Sequence, residues 1–273
     1  MISIVQLGRI DYETGLRLQK KLIEQRKAGE ISDTLLLLEH TPVITLGRNA
    51  KQHNIIASPE FLEQKGVEVY ECDRGGDVTF HGPGQLVGYP IFDLRDQRDR
   101  GGQRRTMGAV EFVRNIEEVL IRTCADFGVH TERVAGMTGV WTVPGQNSSS
   151  GNSQTSTESG QVQGKVAAIG VHISRGVTSH GFALNVSTDL DYSKLIVPCG
   201  ITTKPVTSLE HALGEAPAWQ DVVESTVRNF GRVFNSQVLW VETLDDLVRN
   251  KVGVPMREPE ELRKMRGEDI HFA

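Results

Sequence analysis

Two rhythms of apolar and polar positions alternate along this chain. The slower one recurs every three to four residues. Leu16, Leu18, Leu22 and Ile23 follow it, which predicts a helix capped by Asp11 and running to about Lys27. Phe112, Val113, Ile116, Val119, Leu120 and Cys124 follow it over residues 108–127, and Val222, Val223, Val227, Phe230 and Phe234 over 219–234. The denser rhythm marks short apolar runs, read as strands at 1–7, 35–38, 43–46, 67–71, 86–93 and 179–186. Residues 139–143 and 165–174 read as two strands of a hairpin. Between them, residues 144–164 are almost devoid of apolar side chains and are dominated by Ser, Gly, Gln, Asn and Thr. Such a stretch cannot offset its ordering entropy and is expected to be a disordered insertion at the hairpin tip. Strands and helices mix without regular alternation, which favours an α+β, mixed-sheet α/β architecture over a doubly wound sheet.

Composition narrows the picture. The 273 residues suit one large domain or two small ones, and no linker divides them. A catalytic domain over 1–242 and a C-terminal extension over 243–273 are expected; from about residue 250 the tail is charged and Pro-containing, with a short helix near 260–266, and reads as peripheral. The net charge of −5 gives no basic footprint for nucleic acid. Arg104 and Arg105, or Arg257, Arg263, Lys264 and Arg266, could form a local basic patch, or simply a solvated face. Three cysteines, an odd and low count, argue against a disulfide framework and favour a reducing compartment. No apolar stretch approaches the ~20 residues that cross a bilayer, and the N-terminus reads as a strand, not a signal peptide.

Three segments carry candidate chemistry. The first is glycine-rich: Arg74-Gly75-Gly76-Asp77-Val78-Thr79-Phe80-His81-Gly82-Pro83-Gly84-Gln85. Missing Cβ atoms let its backbone approach a ligand, but it fits neither a Rossmann fingerprint nor a Walker loop. Arg74 could meet a phosphate or carbonyl, or pair with Asp77. The second is Lys165 at the head of an apolar strand, where a charged strand end facing water is the plainer reading. The third is Cys199, a thiol between Pro198 and Gly200. An unperturbed thiol is only ~3% thiolate at pH 7. An ammonium close by would raise that fraction, which is a role for Lys165. Cys124 falls on the apolar face of a helix and reads as a core thiol; Cys72 continues a strand and reads as structural. His172 and His180 have no metal-ligand spacing, so no metal is expected. With His81 they remain candidates for a base.

At these residues the chain resembles the octanoyltransferases of lipoate biosynthesis. The likeness rests on the 74–85 segment, on Lys165-Val166-Ala167-Ala168-Ile169-Gly170-Val171, on Ser179-His180-Gly181-Phe182-Ala183-Leu184-Asn185, and on Pro198-Cys199-Gly200-Ile201, in that order. Thr138-Gly139-Val140-Trp141 and Val206-Thr207-Ser208-Leu209 agree. The resemblance implies a biotin/lipoate-protein-ligase-like fold, with a larger mixed sheet and a smaller sheet packed with helices. It implies octanoyl-acyl carrier protein as donor and a lysine of a lipoyl-domain protein as acceptor, such as 2-oxoacid dehydrogenase E2 subunits or the glycine cleavage H protein. It implies Cys199 as the acyl-thioester nucleophile and Lys165 as its partner. The substrate site is then Arg74, Gly75, Gly76, Asp77, Val78, Thr79, Phe80 and His81, with Ala168, Ile169, Gly170, Gly181, Phe182 and Ala183. Val78, Phe80, Ile169, Phe182 and Leu184 are the expected acyl walls. No cofactor is expected, since amide formation from a thioester is downhill. The alternatives are an ATP-dependent lipoate-protein ligase and a Cys–His thioester hydrolase. The Ser/Asn-rich insertion suggests a mitochondrial location, with the cytoplasm as alternative.

Overall fold

The computed structural model describes residues 1–98, 102–145, 163–200, 204–244 and 246–247, with the side chains of Arg98 and Cys199 outside that description. The insertion and the C-terminal helix expected from sequence lie outside the described residues.

Strand β1 (Ile2–Ile10) leads into helix α1 (Tyr12–Lys27). Asp11 caps that helix as predicted: its carboxylate accepts from the Thr14 backbone N–H at 2.7 Å. Strand β2 (Asp33–His40) returns parallel to β1. Next come β3 (Val43–Leu46), a helix missed by the apolar rhythm, α2 (Pro59–Gln64), then β4 (Glu68–Glu71) and β5 (Val78–His81). Ser58 and Pro59 start α2 as N-cap and first helical residue. Strand β6 (Gln85–Ile91), the two-residue strands β7 (Gln97–Arg98) and β8 (Arg104–Arg105), and the long helix α3 (Ala109–Asp126) follow. Then come β9 (Thr131–Val134), β10 (Met137–Thr142), β11 (Lys165–Ser174), β12 (Val177–Asn185), α4 (Leu209–Leu213), α5 (Trp219–Val233) and β13 (Val238–Trp240).

Among the described residues an 8-stranded mixed sheet has the order β13-β1-β2-β6-β12-β11-β10-β9, and a 3-stranded sheet the order β4-β3-β5. The expected hairpin exists: β10 pairs antiparallel with β11, with Trp141 opposite Lys165. The glycine-rich segment is not one loop. Its middle is β5, paired to β3 in the small sheet. Residues 78–81 alternate like a strand, but the flanking glycines hide that period in the sequence.

The period-two pattern of the central strands sorts side chains to two faces. Leu35 and Leu37 join Phe112, Ile116, Val223 and Phe230 beneath α3 and α5, while Leu36 and Leu38 join Leu18 and Leu22 of α1 on the opposite face. Val241, Leu244 and Leu247 are buried in that second cluster. The tail from about residue 250 lies outside the described residues. A third cluster, with Ile44, Leu62, Val67, Val78 and Ile196, lies under the small sheet. Cys124 is fully buried in the first cluster, and desolvation pushes its thiol up to about 12, as a core residue should behave. Arg104 meets Asp96 at 2.7 Å and Arg105 meets Glu111, so this pair of arginines is matched by carboxylates.

Candidate active site

The small sheet leans on the β11–β12 hairpin, and two cavities open along that contact. One is lined by the loop residues Arg74, Gly75, Gly76 and Asp77, by Thr79 and His81 of β5, by Ala168, Ile169 and Gly170 of β11, and by His180, Gly181, Phe182 and Ala183 of β12. Tyr12 and Tyr89 complete it. The other is lined by Phe80, Gln85, Lys165, Asn185, Ile196, Pro198 and Val206, among others, and shares Thr79, Ala168 and Ala183 with the first. Of the predicted site residues, Val78 lines neither cavity. Its side chain is fully buried in the third core cluster, because β5 alternates: Val78 and Phe80 turn into that cluster, whereas Thr79 and His81 face the first cavity. Leu184 likewise belongs to the core beneath α3 and α5.

Glycine is required where the loop touches the hairpin. A Cβ on Gly170 would lie 2.6 Å from the Gly75 carbonyl oxygen. The Gly75 N–H donates to the Val171 carbonyl at 3.0 Å, so that amide is engaged in docking the loop and is not an open oxyanion donor. Arg74 is buried and donates to the Thr45 hydroxyl, the Thr45 carbonyl, and the carbonyls of Gly75 and Asp77. It meets the backbone of Asp77, not the carboxylate. That carboxylate accepts from Asn54 at 2.6 Å, from the Val78 N–H at 2.8 Å and from the Lys51 N–H at 3.2 Å.

Lys165 is buried at 5% exposure. Its backbone is tied to the following segment, donating to Pro205 and accepting from Thr207, both at 2.9 Å. Its stem passes Gly139, where a Cβ would lie 3.4 Å from Cε, and its ammonium sits 4.8 Å from the Trp141 ring centroid. The plainer reading of a water-facing strand end is therefore overturned: the strand opens inside the protein. Burial of an ammonium is costly, and an indole face is one of few apolar surfaces that offsets part of it.

Cys199 lies in the turn Pro198–Gly200. Val197 N–H donates to Asn54 at 2.7 Å, and Gly200 adopts φ +67°, the left-handed region. A Cβ there would come within 2.8 Å of the Asp77 carboxylate. Asp77 and Asn54 thus hold the thiol's turn against β5. Pro198 and Lys165 line one cavity. The Cys199 side chain, and with it the separation of sulfur from ammonium, lies outside the described residues.

Of the candidate histidines, His81 and His180 line the first cavity, and His172 lines neither but lies 3.5 Å from Asp73. His180 adopts φ +55° inside β12, donates its backbone N–H to Gln19 at 2.7 Å, and pairs through Nε2 with Asp73 at 2.7 Å. Burial lowers its pKa, against the pull of Asp73. Burial, then the neighbouring His40 and Arg74, lower His81 to about 3, so it is neutral at physiological pH. Cys72 donates its thiol to the Leu46 carbonyl at 3.4 Å, a structural placement. Among the described residues no group of three or more His, Cys, Asp or Glu is arranged to hold a metal, and no helix is long and apolar enough to cross a membrane. Sequence reasoning missed Tyr12 and Tyr89 as cavity walls: Tyr12 is the first residue of a helix and Tyr89 sits in the apolar run of β6, and neither stands out from its element.

Comparison with known proteins adds the following. Residues 11–231 match the model of the lipoyl protein ligase A/B catalytic domain. An octanoyltransferase of Koribacter versatilis is 57% identical over 272 residues, covering 100% of both chains. One of Acidobacterium capsulatum is 57% identical over 251 residues, 91% of this chain and 96% of the relative. The first of these alignments includes the 144–164 insertion and the C-terminal extension. A bipartite lipoate protein ligase from Thermoplasma acidophilum superposes with TM-score 0.64 at 15% identity, covering 92% of this chain and 91% of that one. Lipoate-protein ligase A bound with ATP superposes with TM-score 0.63 at 13% identity, covering 92% and 94%. At those identities the likeness is one of fold.

Proposed function

The chain belongs to the octanoyltransferases of the lipoyl protein ligase A/B catalytic-domain family and is an acyltransferase, and on that premise we propose that it carries an octanoyl group from octanoyl-acyl carrier protein to a lysine of a lipoyl-domain protein through a thioester on Cys199. The observation that carries this reading is the sharing of one cavity by Lys165 and Pro198, which places a buried ammonium and the thiol's own turn on the same space.

The cycle has two half-reactions. The Cys199 thiolate attacks the carrier thioester, the carrier sulfur leaves as a thiol with the proton of the Lys165 ammonium, and the enzyme holds an octanoyl thioester beside a neutral Lys165. The acceptor amine then attacks that carbonyl, forming the amide and returning the thiolate. Lys165 favours the thiolate in the first step and takes the amine's proton in the second. Chain selection follows from burial. A C8 chain carries about six methylenes, worth roughly 5 kcal/mol at ~0.8 each. Phe80, Ile169, Phe182, Ala168 and Ala183 supply apolar wall for it.

The test is a transfer assay with octanoyl-carrier protein and a lipoyl domain, with no nucleotide added. Octanoyl amide on the domain supports the proposal. Product only with free acid and ATP would identify a ligase, and octanoate without amide a hydrolase.

A further inference from the structure

A buried relay of two amides links the strand of Lys165 to His81. It starts at a backbone carbonyl, whose role as acceptor is fixed. The Thr207 carbonyl accepts from Asn185 Nδ2 at 2.9 Å. Asn185 Oδ1 must then face Gln85, and it accepts from Gln85 Nε2 at 2.9 Å. A second backbone carbonyl, that of Phe80, accepts from the same Nε2 at 3.2 Å and fixes the Gln85 amide independently. Gln85 Oε1 is left facing His81 Nδ1 at 2.8 Å, and an oxygen there can only accept. The proton of the neutral imidazole therefore sits on Nδ1, and Nε2 carries a lone pair. All three side chains are buried, so no solvent competes for these bonds. Thr207 also donates to the Lys165 carbonyl, so both candidate functional side chains hang on one hydrogen-bonded frame.

The two cavities share Thr79, Ala168 and Ala183. Gln85 and Asn185 line the one shared by Lys165 and Pro198, whereas His81 lines the one beside the glycine-rich loop. We propose that Gln85 and Asn185 are positioning residues that fix His81 as the Nδ1–H tautomer, so that Nε2 enters the cavity as a hydrogen-bond acceptor for the N–H of the incoming lysine amine. The imidazole orients that amine and does not take its proton, which goes to Lys165. A neutral His81, with a pKa lowered to about 3, accepts a hydrogen bond at working pH but is too weak a base to hold an ammonium proton. The identity of the N–H donor rests on the transferase reading; the tautomer does not.

The experiment uses the full chain labelled with 15N-histidine. Long-range 1H–15N correlation identifies the His81 signals by their loss in His81→Gln, and the nitrogen shifts report which nitrogen is protonated. Wild type is expected as the Nδ1–H tautomer, and Gln85→Met, near-isosteric but without the acceptor, is expected to move it toward Nε2–H. In the same variant, transfer from acyl-enzyme to a lipoyl domain is expected to slow about tenfold while acylation by the carrier is retained. Asn185→Ala, which frees the Gln85 amide to rotate, is expected to shift both readouts in the same direction by a smaller amount. An Nε2–H tautomer in wild type overturns the relay. Equal slowing of both half-reactions overturns the assignment to the amine. If no acyl-enzyme forms in wild type, the transferase reading fails while the tautomer measurement still decides the relay.

Discussion

The ammonium of Lys165 lies over the indole of Trp141, 4.8 Å from the ring centroid, and the ammonium of Lys204 lies 5.8 Å from the same ring. Trp141 is 1% exposed and directly opposite Lys165 in the β10–β11 pairing. One buried ring therefore lies against both ammonium groups. A desolvated cation–π contact of this kind is worth ~2 kcal/mol. Trp141→Leu is expected to lower the transfer rate about tenfold or more, and Trp141→Phe to recover much of it. Rates at matched folded fraction check this, since the leucine variant also opens a cavity costing ~3 kcal/mol. Equal rates in both variants would remove the ring from the account.

Gly170 holds the glycine-rich loop at contact distance. A methyl there would meet the Gly75 carbonyl at 2.6 Å and Arg74 Cδ at 3.4 Å. Gly170→Ala is expected to push the loop off β11, costing ~1–3 kcal/mol and roughly 100-fold in transfer. Urea unfolding and single-turnover rates measure the two effects separately. A wild-type rate would show that loop and hairpin need not touch.

Asp77 lines the first cavity and serves the thiol's turn. Its carboxylate accepts from Asn54, Val78 N–H and Lys51 N–H, and the turn at Gly200 packs on it. Asp77→Ala is expected to destabilise by ~2 kcal/mol and to slow acylation of Cys199. A rise in KM alone, with the acylation rate unchanged, would place Asp77 on the substrate instead.

Acid should loosen the fold through buried histidines. His40 is lowered to about 4 and His81 to about 3, each chiefly by burial. A folded-state pKa below the unfolded value means the unfolded chain binds more protons between the two. The stability each contributes is present above about pH 6.5 and is lost as pH falls toward the folded pKa. Two such groups give a slope of roughly 2.7 kcal/mol per pH unit in the window from about pH 6 to about pH 4. The His40 ring is held between the Ile10 carbonyl and the Tyr89 hydroxyl. His40→Gln is expected to lower stability at neutral pH yet halve that slope, as read by denaturant midpoints across pH. An unchanged slope would mean His40 is not the proton acceptor.

Much of the fold was legible because its strongest elements repeat cleanly. The helices at 12–27, 109–126 and 219–233 and the hairpin of β10 and β11 follow apolar periods or a cap that tertiary packing did not override. Helix α2 and strand β5 were not legible. The first is six residues long with one buried side chain, Leu62, and its Ser58–Pro59 start was the only sign. The second is flanked by glycines that read as loop. The walls at 168–170 and 181–183 were implied by the family resemblance, not by any local pattern, and those residues line the first cavity. Val78, expected at the substrate site, lines neither cavity, because its strand turns that side chain into the cluster under the small sheet. The burial of Lys165 depends on β10 and the 205–207 segment closing over it, a contact between distant parts of the chain that no local pattern carries.

The central claim is a thioester on Cys199, and intact mass tests it most directly. The full chain is mixed with octanoyl-acyl carrier protein in the absence of any acceptor, quenched in acid and weighed. The account predicts one octanoyl adduct on wild type, none on Cys199→Ala, slower accumulation on Lys165→Ala, and discharge of the wild-type adduct when a lipoyl domain is added. An adduct of the same size on Cys199→Ala, or amide formation on the lipoyl domain by that variant at the wild-type rate, would contradict it.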